Sequence, residues 1–221
     1  TASRVDGFDA VPLSAAAGRL DQAGLVFSCL PHGVSGPAVA DARAAGKRVV
    51  DLSADLRLSN HAVYGLTEVY RPSLPDAALV ANPGCYPTAA LLAIVPFARA
   101  GLLDITRSLI IDAASGVSGA GRNPKRELLF AEVAEDFRAY DVGNEHRHLP
   151  EITGHLRPFT GQVDVVFTPH LLPVRRGILE TIHLPLLRPL DRAAAEAVLL
   201  DVYQAEPCIR VMRGAVPTLR D

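Results

Sequence analysis

Apolar and polar positions are grouped in short blocks along the chain. Leu25–Leu30 (LVFSCL) is a near-continuous apolar run of strand length, closed by a turn over Pro31–Gly36. Pro37–Ala45 has a helical pattern, and Gly46 stops it before a second strand, Arg48–Leu52 (RVVDL). Ala78–Ala81 predicts another short strand, and Thr88–Ala100 a buried helix ended by Gly101. Ser108–Ala113, Val163–Thr168 and Ile178–Leu184 predict strands, and Asp191–Gln204 a helix with Asp191 as its N-cap. Strand, helix, strand in the first third predicts a parallel α/β sheet. Beyond residue 100 strands dominate with fewer crossover helices, which suits an α+β second domain. The pattern predicts two domains, 1–83 and 84–221, meeting near residues 82–88.

Composition narrows the function classes. At 221 residues, with 49% apolar and 21% charged, the chain can bury a sizeable core and is too apolar for intrinsic disorder. A net charge of −2 argues against nucleic acid or an anionic membrane as partner. The longest nearly uncharged apolar stretch, Ala89–Ala98, contains Pro96 and is too short to span a bilayer, and no charged-then-apolar signal segment opens the chain. All but Lys47 and Lys125 of the 22 basic side chains are arginine, a codon-composition bias. Cys29, Cys85 and Cys208 carry no CxxC spacing and form no disulfide framework, which predicts a reducing compartment, the cytoplasm. The chain opens at Thr1 rather than at an initiator methionine.

The densest chemical signal is Val80–Pro96, VANPGCYPTAALLAIVP. Pro83 and Gly84 force a tight turn, so Cys85 sits at the first turn of a helix. Unpaired backbone N–H groups and the positive end of the helix dipole favour a thiolate there. Cys29, inside LVFSCL, and Cys208, before IRVM, read instead as buried small hydrophobes.

These residues resemble the signature of the N-acetyl-γ-glutamyl-phosphate reductase family, of the aspartate-semialdehyde-dehydrogenase-like superfamily. Val80, Ala81, Pro83, Gly84, Cys85, Tyr86, Pro87, Thr88, Ala89 and Pro96 fit it without a mismatch. The resemblance extends to CLPHG (Cys29–Gly33), DLSADLRL (Asp51–Leu58), YGLTE (Tyr64–Glu68), SGVSGAGR (Ser115–Arg122), HRHLPEI (His146–Ile152), FTPHLLPVRRGI (Phe167–Ile178) and AVPTLRD (Ala215–Asp221). It implies a partial Rossmann-type nucleotide-binding domain followed by an α+β catalytic and dimerisation domain of the glyceraldehyde-3-phosphate-dehydrogenase type. It also implies NADPH-dependent conversion of N-acetylglutamyl 5-phosphate to N-acetylglutamate 5-semialdehyde in arginine biosynthesis, by a homodimer or homotetramer. The residue chemistry agrees: a Cys85 thiolate displaces phosphate from the acyl carbon, and hydride from a nicotinamide reduces the thioester.

A histidine is wanted for proton transfer. The resemblance places it in HRHLPEI, with His146 and His148 both candidates and His146 the first choice. At i, i+2 spacing in an extended segment the two share a face, with Arg147 turned away. A zinc site is the rival reading of HxH, but no third and fourth ligands stand at usable spacing. The glycine-rich loop after SLIIDA resembles the one beside the nicotinamide and the reacting carbonyl, with Ser115, Gly116, Ser118, Gly119 and Gly121 as contacts. Arg122 is a candidate for the leaving phosphate, and Arg175 or Arg176 for the substrate α-carboxylate; a solvated surface arginine is the alternative for each.

His32, after the first strand, reads equally as a turn residue or a cofactor contact, and Ser53 as a cofactor neighbour. The family's GxGxxG fingerprint does not occur in this sequence, and the junction between Asn60 and His61 is shorter than in the family. The expectation is therefore the catalytic middle of a longer enzyme. Two alternatives remain at this stage: the lysine-pathway reductase acting on an amino-adipyl phosphate, and a non-catalytic binding or assembly fragment.

Overall fold

The computed structural model describes residues 17–121 and 125–220. It divides into two compact units, Thr1–Pro83 and Gly84–Asp221.

The first unit is built on a four-stranded, all-parallel sheet in the order β1-β2-β4-β3. Its strands are β1 (Leu25–Ser28), β2 (Arg48–Asp51), β3 (Val63–Tyr64) and β4 (Leu79–Ala81). Helix α1 (Ser35–Ala44) joins β1 to β2, and the short α2 (Thr67–Tyr70) lies between β3 and β4. α1 ends where Gly46 adopts φ +71°, a conformation that costs glycine little. Val39 and Ala42 on α1 pack against Val49 and Leu79 on the sheet, with Leu20, Val26, Leu56 and Ala62 around them. This is the parallel α/β arrangement that the alternation predicts.

The second unit carries a mixed sheet in the order β6-β7-β5-β8. It begins with helix α3 (Cys85–Arg99), followed by β5 (Leu109–Gly116), α4 (Phe130–Val133), β6 (Arg138–Ala139), α5 (Leu149–Thr160), β7 (Val165–Leu172), β8 (Ile178–His183) and α6 (Arg192–Tyr203). β5 and β7 run parallel, and β8 and β6 pair antiparallel to them. Alternate residues of β5 and β7, Leu109, Ile111 and Phe167, turn one sheet face onto α3 and α5, where Leu91, Ile94, Val95, Ile152 and Leu156 complete the core. The Tyr203 hydroxyl donates to the Leu92 carbonyl at 2.6 Å and so ties α6 to α3.

α5 is a crossover helix that the sequence pattern missed. Pro150 sits in its first turn, where its absent N–H has no acceptor to lose, and Pro158 falls in its last turn. The HRH segment is correspondingly a turn leading into α5, with His148 in an αR conformation at the N-cap, rather than an extended run. No helix among the described residues is long and apolar enough to cross a membrane.

Candidate active site

Cys85 is the first residue of α3 and is exposed. Gly84 before it is extended (φ −68°, ψ 156°), and its carbonyl accepts both the Thr88 N–H at 3.0 Å and the Thr88 hydroxyl at 2.8 Å. Its N–H donates to the Glu151 carboxylate at 2.7 Å, reaching from α3 to the first turn of α5. The turn that presents the thiol is thus held from both sides. N–H groups in the first turn of a helix lack intrahelical acceptors, so the sulfur stands at the electropositive end of α3.

A cavity of about 510 Å³ opens at this point. Cys85 and Tyr86 line it from α3, Ser115, Gly116, Gly119 and Ala120 from the end of β5 and its loop, and His146, Arg147 and His148 from the turn before α5. Arg147 therefore shares the cavity with both histidines, because the segment is a turn and the i, i+2 alternation of a strand does not apply. Lys125, Glu127, Arg138, Tyr140 and Asp141 close the remaining side. Arg138 is engaged with Asp136 at 2.9 Å and with the Glu127 carbonyl at 2.7 Å. Among the described residues no group of three His, Cys, Asp or Glu side chains is placed to hold a metal ion.

Aromatic rings fix the histidines. His146 is 7% and His148 3% exposed. The His146 ring lies 4.8 Å from His148, 5.4 Å from Phe167, 5.5 Å from Tyr86 and 5.7 Å from Tyr140, centroid to centroid. The Tyr86 and Tyr140 hydroxyls share a hydrogen bond of 2.8 Å, and burial raises the pKa of both phenols above the ordinary tyrosine value. Burial also pushes His146 below the usual histidine value; Asp141 opposes that shift and Arg147 adds to it. Tyr140 carried no signal in the sequence, and Arg147, visible in the HRHLPEI block, is turned away in the strand reading; only the folded turn brings them to the cavity of Cys85. Glu151 was visible only as part of the HRHLPEI block.

Other candidate residues fall elsewhere. Ser118, Gly121, Arg175 and Arg176 stand outside the cavity lining, although the loop bearing the two arginines is stitched to its wall. Gly116 N–H donates to the Gly177 carbonyl at 2.9 Å, Val117 to Val174 at 2.9 Å and Ser118 to Arg175 at 3.1 Å. A Cβ on Gly116 would come within 2.8 Å of the Arg176 nitrogen and of the Val174 carbonyl oxygen, so this approach requires glycine. Arg122 lies outside the described residues. Cys29 and Cys208 are exposed and not buried, a correction to the sequence reading: the apolar run around Cys29 ends as a strand at Ser28, and Cys208 follows α6 in a turn.

His32 and Ser53 belong to the first unit, in the loops after β1 and β2. His32 Nδ1 accepts the Ala54 N–H at 2.8 Å. Ser53 Oγ donates to Asp51 at 2.6 Å and lies 2.7 Å from Ser35 Oγ, which also donates to Asp55 at 3.1 Å. Asp55 accepts the Gly33 N–H at 2.8 Å, and that bond lowers its pKa below the ordinary carboxylate value. Both loops stand at the carboxyl ends of parallel strands, where ligands of such sheets collect.

Two family models match the chain: the semialdehyde dehydrogenase NAD binding domain over residues 5–77 and the semialdehyde dehydrogenase dimerisation domain over residues 85–221. An N-acetyl-gamma-glutamyl-phosphate reductase of Pelotomaculum thermopropionicum is 44% identical over 91% of this chain and 63% of its own length. The reductase of the same name from Desulfotalea psychrophila is 41% identical over 89% of this chain and 62% of its own. The chain thus spans less than two thirds of these curated relatives. In fold it is similar to aspartate semialdehyde dehydrogenase II from Vibrio cholerae complexed with ASA, with a TM-score of 0.69 at 18% identity, covering 98% of this chain and 68% of that one. A probable aspartate-semialdehyde dehydrogenase from Pseudomonas aeruginosa gives 0.66 at 24% identity, covering 99% and 68%.

Proposed function

The chain belongs to the semialdehyde dehydrogenase family, and on that premise we propose that it reduces an acyl phosphate to an aldehyde through a thioester on Cys85. The substrate in this reading is N-acetyl-L-glutamyl 5-phosphate and the product N-acetyl-L-glutamate 5-semialdehyde, a step of arginine biosynthesis, as the names of its relatives suggest. The observation that carries it is the shared cavity: a cysteine on the first residue of a helix, two buried histidines, and a serine–glycine loop around one space of about 510 Å³.

Cys85 attacks the acyl carbon, forming the S–C bond and breaking the bond to the phosphate oxygen. The thiol proton passes through a histidine to the departing phosphate. When bound, a nicotinamide cofactor, NADPH in this reading, would supply the hydride for the thioester carbon. The C–S bond then breaks, releasing the aldehyde, and the thiolate takes up a proton. Ser115, Gly116 and Gly119 would hold the nicotinamide end of such a cofactor: a Cβ at Gly119 would crowd Ser115 Oγ at 3.0 Å, so glycine leaves that hydroxyl its place on the cavity wall. In the first unit His32 and Ser53 are the cofactor neighbours in this reading. The choice of NADP over NAD, and Arg122, Arg175 and Arg176 as substrate contacts, belong to the same proposal, as does a cytoplasmic location, where a thiol nucleophile stays reduced.

A homodimer or homotetramer is part of it. The sheet face of the second unit opposite α3 and α5 carries Ile110 beside Val166 on β5 and β7, and Leu179 further along, opposite Ala114, on β8; the three are 37–40% exposed and share the face with Thr168 and Thr181. A mixed apolar and polar sheet face of this kind fits a second copy of the chain.

The test is NADP⁺ reduction by the chain given the semialdehyde and inorganic phosphate. Phosphate-dependent turnover, with an acyl adduct found on the Cys85 peptide by mass spectrometry, is the expected result. Turnover without the adduct removes the thioester. Absence of saturable NADPH binding turns the reading toward a binding or assembly piece, and faster turnover of the amino-adipyl analogue moves the substrate to the lysine-pathway compound.

A further inference from the structure

Both His146 and His148 line the cavity of Cys85, but the backbone treats them differently. His146 Nδ1 accepts the main-chain N–H of His148 at 3.1 Å. A nitrogen that accepts a hydrogen bond carries no proton, so the ring is the Nε2–H tautomer. Protonating Nδ1 would set two donors face to face and break the turn that ends in α5. The rings of Tyr86, Tyr140, Phe167 and His148 surround the imidazole, so it cannot swing away to accept that proton elsewhere. The charged side chains around it are Asp141, on its own turn, and Arg147, beside it; Tyr86 on α3 and Tyr140 on the turn are neutral phenols, their pKa values raised by burial. Burial, the largest influence on His146, also favours the neutral ring.

A neutral imidazole locked in this way is a poor base. Taking the thiol proton at Nε2 would first require the other tautomer, with Nδ1–H pointing at the His148 N–H. It is a good hydrogen-bond donor, since Nε2–H lies on the far side of the ring from Nδ1 and needs no rearrangement to act. We propose that His146 serves the reaction as a fixed, neutral Nε2–H donor to the substrate carbonyl oxygen, and that proton transfer at Cys85 and the leaving phosphate falls to His148. The proposal rests on the thioester reading above and divides its labour between the two histidines. As the S–C bond forms, the carbonyl π pair moves to oxygen, and the charge arises against Nε2–H. The same donor meets the oxygen again when hydride reaches the thioester carbon. No proton leaves His146 in either step, while the thiol proton goes to His148 and from there to the phosphate oxygen as its bond to carbon breaks.

Long-range ¹H–¹⁵N correlation on the histidine-labelled chain reads the tautomer directly and needs neither substrate nor cofactor. The expected spectrum has an unprotonated Nδ1 and a protonated Nε2 for His146, unchanged from pH 8 down to the ordinary histidine value of 6.5. An Nδ1–H tautomer, or titration at or above 6.5, overturns the proposal. A second measurement follows alkylation of the Cys85 peptide by iodoacetamide against pH. His146→Asn keeps an acceptor for the His148 N–H through Oδ1 and should leave the midpoint unchanged, while lowering turnover about 100-fold, the usual cost of one oxyanion donor. His148→Gln should move the midpoint. The reverse pattern overturns the division of roles. Turnover that survives Cys85→Ser would instead overturn the thioester reading, whatever the tautomer of His146.

Discussion

Each unit gathers polar side chains at the carboxyl end of a parallel strand pair, yet the two clusters differ in how they are held. In the first unit Ser35, Asp51, Ser53 and Asp55 bond chiefly to one another and to nearby main chain. In the second, main chain and aromatic rings hold the polar groups: the His148 N–H on His146, the Thr88 N–H and hydroxyl on the Gly84 carbonyl, four rings around one imidazole. Side chains bonded to each other make a rigid loop. Side chains fixed from behind keep their reactive atoms for a ligand.

Cysteines give the sharpest test of this contrast, because all three are exposed and only Cys85 stands on a fixed turn inside a cavity. Cys85→Ser should cut turnover at least about a thousandfold. Cys29→Ser and Cys208→Ser should stay within about twofold, measured by steady-state NADP⁺ reduction.

Glu180 comes next. It projects from β8 on the α3 side of the sheet, both carboxylate oxygens are buried without a hydrogen-bond partner, and burial pushes its pKa up to about 8 from an ordinary 4.5. Below pH 4.5 the folded and unfolded chains are both protonated and the group costs nothing. Between 4.5 and about 8 only the unfolded chain releases the proton, so stability falls as pH rises, and the loss is complete above about 8. Glu180→Gln should match the parent at low pH and exceed it at pH 8 by on the order of 3 kcal/mol. Thermal unfolding across that range checks it.

Glu151→Ala removes the buried acceptor of the Gly84 N–H and should cost about 2 kcal/mol. The loss should appear as faster amide exchange over residues 84–88. Ser53→Ala in the first unit should cost about 1 kcal/mol, with faster exchange confined to the loops after β1 and β2. Equal spreading of both effects through both units would break the contrast.

Much of this was legible in the sequence. Strands β1, β2, β4, β5, β7 and β8 and helices α1, α3 and α6 follow from apolar runs bounded by glycine, proline and a capping aspartate. β6, only two residues long, has no pattern to read. α5 was hidden because Pro150, Gly154 and Pro158 lower its helical propensity, while Ile152 and Leu156, fully buried against α3, supply the packing that overrides it. Cys85 and the two histidines carried motif signals. Tyr140 carried none, because its role comes from a 2.8 Å contact with a residue 54 positions away.

The seam at Gly116 has a mechanical consequence. Arg175 and Arg176 stand outside the cavity lining, but three main-chain bonds and a side-chain-free approach weld their loop to its wall. The two segments therefore translate as one piece, and a load applied to the arginine pair from outside, by a ligand carboxylate or a second copy of the chain, is delivered to Ser115 and Gly119 without any side chain in between. Replacing Gly116 with alanine would part that coupling while leaving every other cavity-lining residue chemically intact.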